Sequence, residues 1–169
     1  MGWTYRYIAG PLAVVALLIG VACEPGTPDW TLPTEPEVEA RYGAGVEASV
    51  RGNVIQLDVD FRDDLRRGGP LWAMSGPYFY LFSSATRSLF QEYPDLAGVR
   101  VVTRTTGPEE VARALLRRDA MTERRWQQGL NIAARAQTEG TERPGLLRDL
   151  VRWGEDHPDY EYSEEFVGQ

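Results

Sequence analysis

Acidic side chains recur at alternate positions in the stretch DVDFRDD, residues 58–64. In an extended strand, Asp58 and Asp60 point to the same face about 6.6 Å apart. A neighbouring strand would place Glu47 opposite Asp58. Three carboxylates on one face predict a site for a hard cation, which prefers oxygen ligands, or an acid and base pair for glycoside hydrolysis. Glu47, Asp58 and Asp60 are therefore the candidate metal ligands.

A solvent-exposed face explains the same acidic residues without any ligand. Arginines expected on that face would neutralise the acids through surface ion pairs, which are common in proteins. These arginines are Arg62, Arg100 and Arg104. We favour this interpretation over the metal site and assign no catalytic residue.

Aromatic residues follow the acidic stretch. Trp72, Tyr78 and Tyr80 lie close together in the sequence and could form a platform that binds a sugar, aryl or peptide ligand. Core packing is the alternative, because a small domain needs large side chains to cover a short sheet. Only an exposed subset of these rings would indicate ligand binding.

The residue types present restrict the chemistry. All 18 basic residues are arginine, and the chain has one cysteine and one histidine. Without lysine there is no Schiff base, no pyridoxal cofactor and no phosphate-binding loop. One cysteine and one histidine cannot form a cysteine cluster or a multi-histidine metal site. We therefore expect no cofactor, and a binding protein rather than an enzyme.

The net charge argues against one class of partner. The formal charge is −7, whereas nucleic-acid binding requires a basic surface that contacts phosphates. We therefore expect no nucleic-acid partner. Five arginines, expected on helices, could instead form a basic zone that contacts anionic lipid head groups. These are Arg113, Arg117, Arg118, Arg124 and Arg125.

The N-terminal residues have the pattern of a secretory leader. Arg6 gives a charged start, and residues 8–22 are apolar or small, a run shorter than the roughly 20 residues that span a membrane. The leader ends in the sequence GVAC, with the cysteine at Cys23. This sequence resembles the lipobox of bacterial lipoproteins, which implies that Cys23 is lipidated and becomes the mature N-terminus. An ordinary signal peptide or an uncleaved anchor is the alternative.

Proline and polar residues follow the cysteine. The segment 23–44 is rich in proline, glutamate and threonine, a composition too polar and too stiff to form a core. We predict a signal peptide over 1–22, a tether over 23–44 that carries lipidated Cys23, and one domain over 45–169. The predicted location is extracytoplasmic, on the periplasmic face of a membrane or at the cell surface.

The most regular pattern lies in VEASVRGNVIQLDVDF, residues 46–61. Apolar and polar residues alternate on both sides of Gly52-Asn53, a two-residue turn signal for a β-hairpin. If Arg51 opposes Val54, the apolar residues of both strands share one face. A shift by one residue would bury the polar side chains, so this register is the predicted one.

Further elements follow the hairpin. We expect a loop over 62–75 and a helix from Pro77 to about Tyr93. A third strand over 99–104 should run parallel to the second hairpin strand and beside it.

The C-terminal part is expected to be helical. One helix should begin after Thr106, one should end near Gln137 and one should follow Pro144. The last residues are expected to pack against the domain. The predicted fold class is therefore α+β, with a small mixed sheet of about three strands in a β-β-α-β unit and a helical C-terminal part.

These features favour a lipid-anchored binding or interaction module of the bacterial cell envelope. Its partners would be the membrane, through lipid on Cys23, and an envelope protein. A metal-assisted or carboxylate-based hydrolase of envelope material, using Asp58 and Asp60, is one alternative. A structural subunit of an envelope assembly is another, and an exposed apolar patch on the helices would favour it.

Overall fold

The computed structural model describes residues 30–105 and 109–167. Its helices and strands alternate in an α+β arrangement. In chain order they are α1 (Glu35–Tyr42), β1 (Val46–Arg51), β2 (Val54–Asp60), α2 (Arg62–Gly68), α3 (Pro70–Leu81), α4 (Ser84–Glu92), β3 (Gly98–Arg104), β4 (Glu110–Arg117), a 3₁₀ turn (Arg118–Ala120), α5 (Glu123–Glu139), α6 (Pro144–Glu155), β5 (Asp159–Tyr162) and α7 (Glu164–Val167).

The strands form one mixed sheet of five strands in the order β1-β2-β3-β4-β5. Strands β2 and β3 are parallel, whereas the other neighbouring pairs are antiparallel. The predicted α+β class is confirmed. The predicted number of about three strands is wrong, because β4 and β5 extend the sheet beyond β3.

The predicted hairpin register is confirmed. Arg51 opposes Val54, and the pairing continues to Val46 opposite Val59. Gly52 in the turn has a φ of 62°, a left-handed conformation that glycine adopts without steric cost. The apolar side chains of the two strands therefore share one face of the sheet.

The third strand is also confirmed. Strand β3 runs parallel to β2, with Leu57 opposite Val101. A parallel return requires a connection that crosses one face of the sheet, and α2, α3 and α4 supply it. Val99 and Val101 are fully buried as a result.

The helix predicted after Thr106 is wrong wherever this segment is described, because Glu110–Arg117 form β4. The sequence EVARALLR is rich in residues that favour helices. However, Ala112, Ala114 and Leu116 are buried at alternate positions, as in a strand with one face on the core. Pairing with β3 and this burial override the local preference. Thr106 itself lies outside the described residues.

The loop predicted over 62–75 is wrong as well. Arg62–Gly68 form α2, and α3 begins with Pro70 in its first turn, where a missing amide hydrogen costs nothing. Pro77 was expected to start a helix. It lies inside α3 instead, so the proline that begins this helix is the earlier of the two.

The single helix predicted from Pro77 to about Tyr93 is wrong, because α3 ends at Leu81 and α4 begins after Ser83. The Ser83 hydroxyl caps this new start by accepting a hydrogen bond from the Thr86 amide at 3.2 Å. The signals at the later helix ends agree with the structure. Helix α5 ends before Gly140, and α6 begins at Pro144. The two C-terminal helices were thus predicted correctly.

The C-terminal residues extend the sheet rather than only packing against the domain. Asp159–Tyr162 form β5, antiparallel to β4. The Ser163 amide donates a hydrogen bond to the Val111 carbonyl at 2.9 Å. On the helical side, the Tyr160 hydroxyl donates to the Met74 carbonyl at 2.9 Å. These bonds hold the end of the chain on both β4 and α3.

The folded part begins earlier than predicted. Helix α1 lies within the segment 23–44 that was expected to be a tether, and its Val38 is fully buried. Glu39 accepts a hydrogen bond from the Ala48 amide at 3.0 Å. Helix α1 therefore supplies a side-chain acceptor for a backbone amide of β1, the edge strand of the sheet. The tether prediction is therefore wrong for this helix, and the domain does not begin at residue 45.

The core lies between the apolar face of the sheet and the helices. Helix α3 contacts β3 and β4 directly, and α6 and α5 pack in turn against α3 and each other. Within the described residues, no helix has the length and apolar character needed to cross a membrane. The predicted signal peptide over 1–22 and Cys23 lie outside the described residues.

Candidate functional site: the open face of the sheet

Polar side chains occupy the face of the sheet opposite the core, which we call the open face. The strand register places the outward-pointing residues in rows across the sheet. They are Glu47, Ser49 and Arg51 on β1, Val54, Gln56, Asp58 and Asp60 on β2, Gly98, Arg100, Val102 and Arg104 on β3, Arg113, Leu115 and Arg117 on β4, and Asp159 and Glu161 on β5.

The predicted acidic residues lie together at one end of the open face, as expected. Glu47 opposes Asp58 in the hairpin. Arg104 Nε donates to Asp58 Oδ1 at 2.8 Å, and Gln56 Nε2 donates to Asp58 Oδ2 at 2.8 Å. Both carboxylate oxygens of Asp58 therefore already accept hydrogen bonds from neighbouring strand residues. A depression of about 440 Å³ lies over this end.

Asp60 forms an ion pair of its own. Arg62 Nε donates to Asp60 Oδ1 at 2.8 Å and to Oδ2 at 2.9 Å. Because these bonds stabilise the charged carboxylate, the pKa of Asp60 lies below its ordinary value of 3.8. A general acid that works near neutral pH needs a raised pKa, so Asp60 is poorly suited to protonate a leaving group.

The acidic end does not form the predicted cation site. Among the described residues, no three histidine, cysteine, aspartate or glutamate side chains form a group that could hold a metal ion. Glu47, Asp58 and Asp60 share a face, but the bonds of Asp58 and Asp60 go to Gln56 and to arginines. These contacts support the alternative interpretation, a solvated and ion-paired face.

The predicted aromatic platform belongs largely to the core. Trp72 and Tyr78 are 2% and 0% exposed, and burial raises the pKa of Tyr78. The Tyr78 ring stacks on Tyr160, with centroids 5.0 Å apart. Tyr80 is half-buried, and desolvation raises the pKa of its hydroxyl to about 12. Trp72 and Tyr78 are thus corrected from ligand-binding candidates to core residues.

The other end of the open face carries two arginines, Arg51 and Arg100, which we call the basic end. Arg51 ends β1, beside the hairpin turn. Arg100 lies between Gln56 on β2 and Leu115 on β4. Both arginines line a depression of about 550 Å³. Arg51 was not singled out from the sequence, although the predicted register already placed it on this face.

The acidic residues near the basic end are engaged by other arginines. Arg113 pairs with Glu110 at 3.5 Å and also with Glu161, and Arg117 pairs with Asp159 at 3.1 Å. Within residues 30–105 and 109–167, the guanidinium groups of the basic end have no hydrogen-bond or ion-pair partner. The basic end therefore keeps positive charge in a chain that is acidic as a whole.

The basic zone predicted on helices is divided among three elements. Arg113 and Arg117 lie on β4, in a strand rather than a helix. Arg118 lies in the 3₁₀ turn and donates to three main-chain carbonyl groups. Arg124 and Arg125 are exposed on α5. The five arginines do not lie on one helical surface.

The start of the described chain meets the sheet beside the basic end. Trp30 is 40% exposed and lies over Gly52 in the hairpin turn, where an added Cβ would be 3.8 Å from the indole. The Thr31 amide donates to the Asp95 carboxylate at 3.0 Å, shortly before β3. The chain that comes from Cys23 therefore joins the domain at the hairpin-turn end of the sheet.

No protein-family model, curated protein or solved structure matches this chain. Similarity to another protein therefore assigns no function here. The residues of the open face and the leader sequence are the features from which a function can be inferred.

Proposed function

We propose that the chain is a binding or interaction module of the bacterial cell envelope, lipid-anchored at Cys23, and that its open face holds a partner protein. One observation carries this proposal. One side of the five-stranded sheet is predominantly polar, with Val54, Val102 and Leu115 as its apolar residues, and bears depressions of about 440 and 550 Å³. A sheet face that packs on helices is apolar, so a polar face of this extent suits contact with another molecule.

The contacts on the open face fit binding better than catalysis. Asp58 and Asp60 are both held in ion pairs with arginine, and the lowered pKa of Asp60 does not suit a general acid. The exposed large apolar side chains among the described residues are Trp30 and Tyr162, and neither lies on a helix. No large apolar side chain in the exposed class therefore lies on the described helices to favour a structural subunit.

The leader supports the anchored part of the proposal. Trp30 follows Cys23 by seven residues, and a chain of that length reaches at most about 25 Å. Lipid on Cys23 would therefore keep the domain close to the membrane surface. The open face would then be presented to envelope proteins that lie near the same membrane.

Site-specific photo-crosslinking in intact cells tests the binding face. The full-length chain would carry a photoreactive residue at Ser49, in the centre of the β1 side of the open face. The matched control carries the same residue at Arg148, which is exposed on α6. We expect a discrete protein adduct from position 49 alone. Equal adducts from both positions, or none from position 49, would contradict the proposal that the open face binds a protein.

Mass spectrometry of the mature N-terminus tests the anchor separately. We expect a lipid-modified Cys23 in the wild-type chain. In a Cys23→Ala chain, membrane attachment and the adduct from position 49 should both be lost. An unmodified Cys23 in the wild-type chain would remove the anchor from the proposal and leave the binding face to be judged by crosslinking.

A further inference from the structure

We infer that Arg51 and Arg100 form a site for a phosphate group at the basic end of the open face. The phosphate could be a phospholipid head group or a free phosphate. This inference rests on the proposed function, because it names the chemistry that one part of the same binding face accepts. Three features support it: the two arginines have no partner among the described residues, they line one depression, and the chain joins the domain beside them.

The first observation is an imbalance of charge that the neighbouring acids do not correct. Asp58 bonds to Arg104, Glu161 pairs with Arg113, and Asp159 pairs with Arg117. Glu110, which lines the same depression, shares Arg113 with Glu161. Four acids thus face three arginines that pair with them, and with Arg51 and Arg100 added the group keeps one excess positive charge (five arginines against four acids). An arginine that loses hydration without gaining a counter-charge is unfavourable, and Arg100 is half-buried. An anion from outside the described chain would supply that counter-charge.

The second observation is the shape around Arg100. Its neighbour Gln56 is only 8% exposed and is fixed by its hydrogen bond to Asp58. On the side toward the hairpin turn, the next outward position of β3 is Gly98, where the Leu115 side chain packs so closely that an added Cβ would lie 3.1 Å from it. Arg100 therefore lies between the fixed polar side chain of Gln56 and the apolar side chain of Leu115.

Within residues 30–105 and 109–167, two arginines without a partner line one depression, and this arrangement favours phosphate over a single carboxylate. Each guanidinium presents a planar fork of donors that pairs with two acceptor oxygens. A phosphate group has enough oxygens and negative charge to accept hydrogen bonds from both guanidinium groups. A carboxylate has only two oxygens, and a bidentate pair with one guanidinium already engages both of them. Pairing at both arginines should therefore make phosphate the better ligand.

The third observation places the site near lipid phosphates. The chain from Cys23 joins the domain at Trp30, over the hairpin turn that follows Arg51. If Cys23 is lipidated, the end of the sheet that carries Arg51 is the one tied closest to the bilayer. Anionic head groups attract arginine at short range, so the location and the charge of the basic end agree.

Nuclear magnetic resonance of the full-length chain in micelles of a maltoside detergent, which contains no phosphate, tests the inference. Inorganic phosphate is titrated at constant ionic strength against sodium chloride. We expect saturable shifts of the backbone amides of Arg51, Gly98 and Arg100. Arg100→Gln should raise the apparent Kd at least about fivefold, the scale of one arginine at an anionic surface. Arg148→Gln, at an exposed position on α6, should leave it unchanged.

A second arm identifies the source of the phosphate. The chain is placed in nanodiscs that contain phosphatidylglycerol, without added phosphate. If the same amides shift there and Arg100→Gln abolishes the change, head groups occupy the site. If only inorganic phosphate shifts them, the ligand is a free phosphate. Both results support a phosphate site.

Three results would overturn the inference. The first is no saturable shift with either source, and the second is an equal response from wild type and Arg100→Gln. The third is an acetate titration that matches phosphate, which would indicate a general carboxylate site instead. The phosphate titration tests only the site formed by Arg51 and Arg100. Crosslinking from position 49 and the mass of the mature N-terminus test the proposed function, so the two proposals can fail separately.

Discussion

The two faces of the sheet are built from the same strands but are held by different interactions. On the apolar face, Ile55, Leu57 and Val101 are completely buried, and each buried side chain of this size contributes about 1.5–3 kcal/mol. On the open face, partly exposed ion pairs such as Arg104–Asp58 contribute about 1 kcal/mol or less. The apolar face therefore contributes most of the stability of the domain, whereas substitutions on the open face can alter binding with little effect on folding.

Truncation of a central core residue tests the apolar side of this comparison. Leu57→Ala should lower the free energy of unfolding by about 2–5 kcal/mol, because it removes buried apolar surface and leaves a cavity. Urea denaturation followed by circular dichroism measures the change. The neighbouring variant Ser49→Ala, on the open face, should stay within about 0.5 kcal/mol of wild type. Similar losses in the two variants would remove the distinction between the faces.

A glycine on α6 tests how closely the helices pack over the apolar face. A Cβ at Gly154 would lie 2.6 Å from the Tyr78 ring, so Gly154→Ala should cost about 1–3 kcal/mol through overpacking. Gly145 lies on the same helix, and no atom is within 4 Å of an added Cβ there. Gly145→Ala should therefore be neutral or slightly stabilising. Thermal unfolding of both variants compares them directly, and an equally mild effect at Gly154 would contradict this close packing.

Sequence alone predicted the elements whose signals are local. Alternation around Gly52-Asn53 was sufficient for the hairpin and its register, because one slip would expose every apolar side chain. The end of α5 at Gly140 and the start of α6 at Pro144 were also predicted, the latter because proline suits a first helical turn. Gly140 keeps a right-handed conformation, and an added Cβ there would lie 2.8 Å from the Leu147 side chain. Strand β4 was missed because its alanine, leucine and arginine residues favour a helix until β3 is present to pair with them.

In the candidate site, too, the local features could be predicted from the sequence and the long-range ones could not. That Glu47 and Asp58 face each other followed from the hairpin register, and so did their place beside Asp60. Sequence could not predict that Arg100 has no ion-pair partner among the described residues. That prediction requires knowing that Arg113 and Arg117 lie on β4 and form ion pairs with Glu161 and Asp159 of β5. Those pairs join residues far apart in the chain, such as Arg113 and Glu161, which are 48 positions apart.

Removal of an ion pair tests the open side of the comparison. Asp58→Asn keeps the size of the side chain but removes the charge that pairs with Arg104, whose side chain is 32% exposed. We expect a loss of about 1 kcal/mol in the free energy of unfolding, since the pair is only partly buried. Glu47→Gln is the matched control on the opposite strand. A loss as large as that of Leu57→Ala would mean that the open face also sets stability.

The smallest expected effect concerns the pH dependence of Asp60, whose pKa is lowered by hydrogen bonds from Arg62. A carboxyl group with a lowered pKa stabilises the folded state above its ordinary pKa, here 3.8, and loses that contribution as the pH falls through the lowered value. Carboxyl-carbon resonances should show Asp60 titrating below 3.8 in wild type and returning toward it in Arg62→Gln. The stability difference between these two chains should be complete at neutral pH and shrink in acid. If it is instead constant with pH, Arg62 contributes through packing and not through the charge of Asp60.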